Sequence, residues 1–120
     1  MQKRILVVDD DKMNLRRTSL ILEKQYDVLL AESGREALEK LKDEKVDLIL
    51  LDIAMPGMSG IETFEQIKEN GLEVPVIFLT ASGHEDNVMT AIRMGAANYL
   101  KKTFMPKNLL ERVEKEFEKE

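Results

Sequence analysis

The feature that most limits what this chain can fold into is a set of short apolar runs that do not alternate. "ILVV" (5–8), "LILL" (48–51) and "VIFL" (76–79) place apolar side chains on both faces of an extended backbone. A strand with one wet face would alternate, so these runs belong to strands covered on both sides, the mark of a parallel sheet. Parallel neighbours need crossover connections of helix length, and the intervals between the runs supply them. The expected strands are Ile5–Val8, Val28–Ala31, Asp47–Leu51, Val76–Leu79 and Ala97–Leu100. The expected helices are Lys12–Glu23, Gly34–Asp43, Ile61–Asn70, Glu85–Met94 and Pro106–Glu118. Ala37, Leu38 and Leu41 form one apolar stripe, and Leu109, Leu110, Val113 and Phe117 another, both at helical spacing. Strand–helix units in succession, with right-handed crossovers, give an α/β fold with a doubly wound open sheet. "MPGMSG" (55–60) and "NGLEVP" (70–75) read as turns between elements.

The chain has 120 residues, enough for one domain and one core. Its 18 Lys and Arg against 23 Asp and Glu leave a formal charge of −5, the wrong sign for a nucleic-acid footprint. With no cysteine, disulfides and thiolate metal sites are excluded. No apolar stretch approaches the ~20 residues of a membrane span, and the N-terminus lacks the pattern of a signal peptide. A cytoplasmic location is the expectation.

Ligands of open α/β sheets sit beyond the carboxyl ends of the strands, so the residues that end each run are the informative ones. The first run ends in Asp9, Asp10 and Asp11, the third in Asp52, the fourth in Thr80 and the fifth in Lys101 and Lys102. Adjacent carboxylates repel one another unless positive charge sits among them. Hard oxygen donors grouped in this way suit Mg²⁺, with Mn²⁺ as an alternative. A carboxylate can also act as a nucleophile and become an aspartyl phosphate. A lysine and a hydroxyl nearby can hold phosphoryl oxygens, and phosphoryl transfer is mostly positioning and charge stabilisation.

The segments "ILVVDDD", "LILLDIAMPGMSGIE", "VIFLTA" and "GAANYLKKTF" together resemble the receiver domain of two-component response regulators, in that family's order and spacing over nearly the whole chain. The resemblance implies one receiver domain over residues 1–120, with a flavodoxin-like sheet of five parallel strands in the order 2-1-3-4-5 and five helices. It also implies that Asp52 accepts a phosphoryl group from a sensor histidine kinase. Asp10 and Asp52 would bind Mg²⁺ directly together with the backbone carbonyl of Ala54, and Asp9 would act through water. Thr80 would bond the attached phosphoryl group, Lys102 would pair with it, and Tyr99 would turn inward as Thr80 moves. The implied partners are the kinase and a downstream protein or output domain, with no direct nucleic-acid or membrane contact. The family leaves a phosphorylation-dependent dimer open, and such a domain catalyses only its own phosphorylation and dephosphorylation. At one position the chain departs from the family: Thr103 follows Lys102, where proline, commonly in a cis peptide, is usual. A cis bond at a non-proline residue costs ~2.5–4 kcal/mol, and both isomers stay open here.

Plainer roles compete for some of these residues. Asp11 suits a helix N-cap, and Lys101 a surface position. The lone His84 reads as a loop residue, without a second histidine or cysteine to share a metal. Met55, Met58, Met89, Met94 and Met105 read first as packing residues and second as a partner-facing surface. Two other functions are also compatible with the sequence. "DDDKM" (9–13) could open a haloacid dehalogenase-type phosphatase, with Asp9 as nucleophile and Asp11 as acid. A receiver-like scaffold that docks without phosphorylation is the other. Nucleotide binding is disfavoured, because neither G-x-G-x-x-G nor G-x-x-x-x-G-K-[ST] occurs.

Overall fold

The structure, a computed structural model, describes residues 2–81 and 85–119, the side chains of 85–88 excepted. Its elements run β1 (Arg4–Val8), α1 (Lys12–Leu22), β2 (Asp27–Ala31), α2 (Gly34–Asp43), β3 (Leu48–Asp52), α3 (Gly60–Glu69), β4 (Val76–Thr80), α4 (Glu85–Arg93), β5 (Asn98–Lys101) and α5 (Pro106–Glu118). The strands form one 5-stranded sheet in the order β2-β1-β3-β4-β5. Every pairing is parallel, and register places Val8 beside Leu51 and Asp52 beside Leu79. The expected α/β fold, strand order and helices are all present.

The non-alternating runs have a direct physical reason. Leu6, Val8, Ile49, Leu51 and Phe78 face one side of the sheet, where they pack with Ala37, Phe64, Ile67 and Ala91 of α2, α3 and α4. Ile5, Val7, Leu48, Leu50, Ile77 and Leu79 face the other, against Leu15 and Leu22 of α1 and Leu109 and Val113 of α5. Both faces of β1, β3 and β4 are therefore dry. Each Leu, Ile or Phe so buried contributes about 1.5–3 kcal/mol of transfer free energy. Phe64 and Phe78 meet edge to face, with ring centroids 5.4 Å apart.

A charged side chain of the helix that follows engages a backbone carbonyl of each edge strand, which blunts pairing with another chain. The outward N–H of Glu32 donates to Glu36 Oε2 (3.2 Å), and Lys40 Nζ donates to the Leu30 carbonyl. At β5, Arg112 Nη1 donates to the Tyr99 carbonyl (2.8 Å) and to Asn98 Oδ1 (2.9 Å).

α2 and α5 keep their expected bounds, and the other eight elements shift by one residue at one end or both. β3 begins at Leu48 and takes in Asp52, and β5 begins at Asn98. Asp47 turns its carboxylate onto the Arg4 N–H (2.8 Å), a polar role at the strand's entrance. α3 begins at Gly60 because Ser59 and Glu62 form a reciprocal capping box, one residue earlier than the first apolar side chain suggests. The methionines divide: Met55 is buried and Met94 packs against the core, while Met89 and Met105 are 54% and 66% exposed. His84 lies outside the described residues.

Candidate functional site

The strand ends deliver their polar residues to one rim. β1 and β3 are hydrogen-bonded neighbours, so Asp9 and Asp52 leave the sheet side by side, and both are buried. Asp10 follows on the exposed side. One carboxylate oxygen from each of Asp9, Asp10 and Asp52 lies within 4.8 Å of the others. Asp9 Oδ1 accepts the N–H of Asp11 at 2.9 Å, which turns its carboxylate inward. Asp52 Oδ1 accepts the Ala54 N–H at 3.2 Å. Asp11 stands apart as the N-cap of α1, its Oδ1 accepting the N–H groups of Met13 (2.9 Å) and Asn14 (3.4 Å).

Lys102 closes the cluster from the β5–α5 loop. Its Nζ lies 2.9 Å from Asp52 Oδ2, 3.3 Å from Asp9 Oδ2 and 3.4 Å from Asp9 Oδ1. The contact with Asp52 Oδ2 is an ion pair by distance but misses hydrogen-bonding direction, and that fully buried oxygen has no aligned donor among the described residues. Lys102's own N–H donates to the Thr80 carbonyl at 2.8 Å. The peptide between Lys102 and Thr103 is trans, as are all peptides among the described residues. Thr80 is buried at the end of β4 and its hydroxyl donates to the Ala81 carbonyl (2.9 Å). Tyr99 is 40% exposed on β5, standing outward. Lys101 is exposed.

Burial is the main cause that lifts the Asp52 carboxyl from its ordinary 3.8 to about 7. The Asp9 charge adds to the rise, while Lys102 and the Ala54 N–H pull against it. Burial also opposes the Lys102 ammonium, but Asp52 and Asp9 outweigh it and raise its pKa. An acid whose folded pKa lies above its unfolded value binds its proton more tightly when folded. Its favourable contribution is full below the unfolded pKa and is lost as pH rises through the folded one. In chelator, the stability of the wild type relative to Asp52→Asn should therefore fall between pH 4 and pH 7 and level off above. Urea midpoints of the two proteins across that range check this, and a constant difference would contradict it.

The donor set fits a hard divalent cation. Three carboxylates on one rim and a buried Asp52 oxygen without a directed donor match the oxygen preference of Mg²⁺.

Two contributors were not visible in the sequence reading. The first is Gly60, at the start of α3. A Cβ there would lie 2.2 Å from the Asp52 carbonyl oxygen and 2.7 Å from Ile53 Cα, so the helix end rests on the backbone that presents Asp52. The capping pattern Ser59-x-x-Glu62 would have marked that start. The second is Arg17, whose guanidinium reaches the Lys102 loop. No local pattern announces a contact across so much of the chain.

Comparison with known proteins agrees with the geometry. Residues 5–114 match the family model described as the response regulator receiver domain. The alkaline phosphatase synthesis transcriptional regulatory protein PhoP of Bacillus subtilis is 40% identical over 94% of this chain and 48% of its own length. The phosphate regulon transcriptional regulatory protein PhoB of Pseudomonas aeruginosa is 40% identical over 92% and 50%. The chain thus spans about half the length of these relatives. A solved response regulator receiver domain protein (CheY-like) from Methanospirillum hungatei superposes with a TM-score of 0.92 at 33% identity, covering 99% of this chain and 96% of that one. Nothing here supports the phosphatase or the docking-only scaffold, and Asp11, the acid the phosphatase would use, is engaged in capping α1. No helix among the described residues is long and apolar enough to cross a membrane.

Proposed function

The chain belongs to the response regulator receiver domain family, and from that premise we propose that Asp52 is its phosphoacceptor in a reaction that needs a divalent cation. One observation carries the reading: a buried Asp52 oxygen without a directed donor sits among three clustered carboxylates, with the Lys102 ammonium 2.9 Å away. In the transfer, an Asp52 oxygen bonds to the phosphorus of a phosphohistidine on a sensor kinase. The phosphorus–nitrogen bond breaks, and its electron pair leaves with the imidazole. Asp9, Asp10 and Asp52 would hold Mg²⁺, or Mn²⁺, with the Ala54 carbonyl as a further ligand; the bound ion would neutralise phosphoryl oxygens. Lys102 pairs with the same oxygens.

The product carries about one further negative charge at pH 7. That charge favours the arrangement in which the Thr80 hydroxyl leaves the Ala81 carbonyl for a phosphoryl oxygen, with Tyr99 following inward from its exposed position. Both arrangements pre-exist, and phosphorylation shifts their populations. The activity is confined to the domain's own phosphorylation and dephosphorylation, and the output passes to a downstream protein or an attached domain. A phosphorylation-dependent dimer and a cytoplasmic setting are compatible with this role.

The test is incubation with Mg²⁺ and acetyl phosphate followed by intact mass. One alkali-labile phosphate is expected on the wild type, none on Asp52→Asn, and none on the wild type in chelator. Labelling that survives in Asp52→Asn and vanishes in Asp9→Asn would overturn the reading.

A further inference from the structure

Arg17 of α1 is placed to act on the site without touching it. Its Nη1 donates to the Lys102 carbonyl at 3.4 Å and its Nη2 donates to the Phe104 carbonyl. The same guanidinium lies over the buried Phe104 ring, 4.5 Å from the centroid. Among the described residues it pairs with no carboxylate, so its fork is committed to these two carbonyls and the ring. Between them stands Thr103, which is exposed and has no ring to fix its backbone. A turn closes the same loop, with the Phe104 N–H donating to the Lys101 carbonyl at 3.0 Å.

The consequence falls on Lys102. Its N–H is held by the Thr80 carbonyl of β4 (2.8 Å) and its carbonyl by Arg17 of α1. Both backbone groups are therefore tied to elements on either side, and the long side chain sets out toward Asp52 from a fixed base. Without the α1 tie, the loop keeps only its turn and the β4 bond, and the ammonium at the end of a flexible stem inherits the loop's freedom. Displacements of about 1 Å in a positioning group are enough to slow a reaction substantially.

We propose that Arg17 is a positioning residue for phosphoryl transfer, holding the 102–104 loop so that the Lys102 ammonium meets the acidic rim. The inference rests on the assignment of Lys102 as the lysine that pairs with the phosphoryl group. Arg17 itself contacts neither the carboxylates nor the transferred group.

The experiment compares initial rates of phosphorylation by acetyl phosphate at saturating Mg²⁺, read by intact mass. The proteins are the wild type, Arg17→Ala, Arg17→Lys, Lys102→Ala and the double variant Arg17→Ala/Lys102→Ala. Arg17→Ala should slow the reaction about tenfold, the low end for groups that orient a first ligand shell, with a modestly lowered melting temperature because two backbone carbonyls and the Phe104 ring lose their partner. Arg17→Lys keeps the charge but not the planar fork and should restore only part of the rate. In the Lys102→Ala background, Arg17→Ala should cost nothing more, since both residues act through one ammonium. The same fold loss in both backgrounds would overturn the inference, because general loosening of the fold does not depend on Lys102. A wild-type rate in Arg17→Ala beside a slow Lys102→Ala would overturn the inference alone. A wild-type rate in Lys102→Ala would overturn it together with its premise. If Arg17→Ala melts early, Arg17→Lys paired with Lys102→Ala makes the same comparison in a folded protein.

Discussion

Lys102→Met is expected to lower the stability of the metal-free protein by about 3–5 kcal/mol at pH 8, the usual cost of leaving a buried charge without its partner. Asp9 and Asp52 are both buried, and the ammonium within 3.3 Å of each is the single cation with which they pair among the described residues. Met matches the stem in length, so the loss isolates the charge rather than the packing. The penalty should shrink toward pH 5, where protonated carboxyls no longer repel. Saturating Mg²⁺ should also shrink it, since a bound cation replaces the lost charge and stabilises the folded form by mass action. The rate of phosphorylation at Asp52 should still fall by on the order of a hundredfold, because one preorganised charge contact to the transferring group is gone. Urea unfolding at the two pH values, with and without Mg²⁺, measures the first effect. A midpoint at pH 8 equal to that of the wild type would contradict the geometry.

Gly60→Ala should be the most damaging single methyl group in the β3–α3 region, at about 3 kcal/mol. The added Cβ would sit 2.2 Å from the Asp52 carbonyl oxygen and 2.7 Å from Ile53 Cα. These are backbone atoms and cannot rotate away, so α3 must lift from the end of β3 or β3 must bend, at the upper end of overpacking costs. The Gly60 N–H bond to the Ile53 carbonyl (3.0 Å) would stretch with it. Gly57→Ala is the control. Its φ of +73° makes a side chain strained, but nothing lies within 4 Å of the added atom, so the cost should stay near 1 kcal/mol. Thermal melts that rank the two variants the other way would show that space at the rim is not the constraint. The Gly60 variant should also phosphorylate more slowly, because the segment it pushes is the one that presents Asp52.

Much of this was readable from the residues themselves, and the reason is physical. Runs buried on both faces announce a parallel sheet, so β1, β3 and β4 were visible in composition alone. In such a sheet the rim lies at the strand ends, so Asp9, Asp10, Asp52, Thr80 and the Lys101–Lys102 pair could be gathered before any coordinates, and the family resemblance implied Lys102 within that pair. Local chemistry also sufficed for Asp11, a helix cap by type and position. What stayed hidden depends on distance in the chain or on exact backbone contact. Arg17 looks like any solvated helix arginine until the loop at 102–104 folds over it. Gly60 looks like a loop glycine until α3 lands on the Asp52 backbone. α3 starts at Gly60, one residue before the apolar Ile61, because the Ser59–Glu62 capping pair fixes its first turn. The outward stance of Tyr99 and the trans bond after Lys102 are properties of packing, and no local pattern encodes them.

The most direct measurement is chemical trapping of the phosphorylated residue. After reaction with acetyl phosphate and Mg²⁺, borohydride reduces an acyl phosphate to the alcohol, and peptide sequencing by mass spectrometry locates the change. The account predicts homoserine in place of Asp52 and unchanged Asp9, Asp10 and Asp11. Reduction at Asp9, or a stable phosphate on a hydroxyl with Asp52 intact, would contradict it.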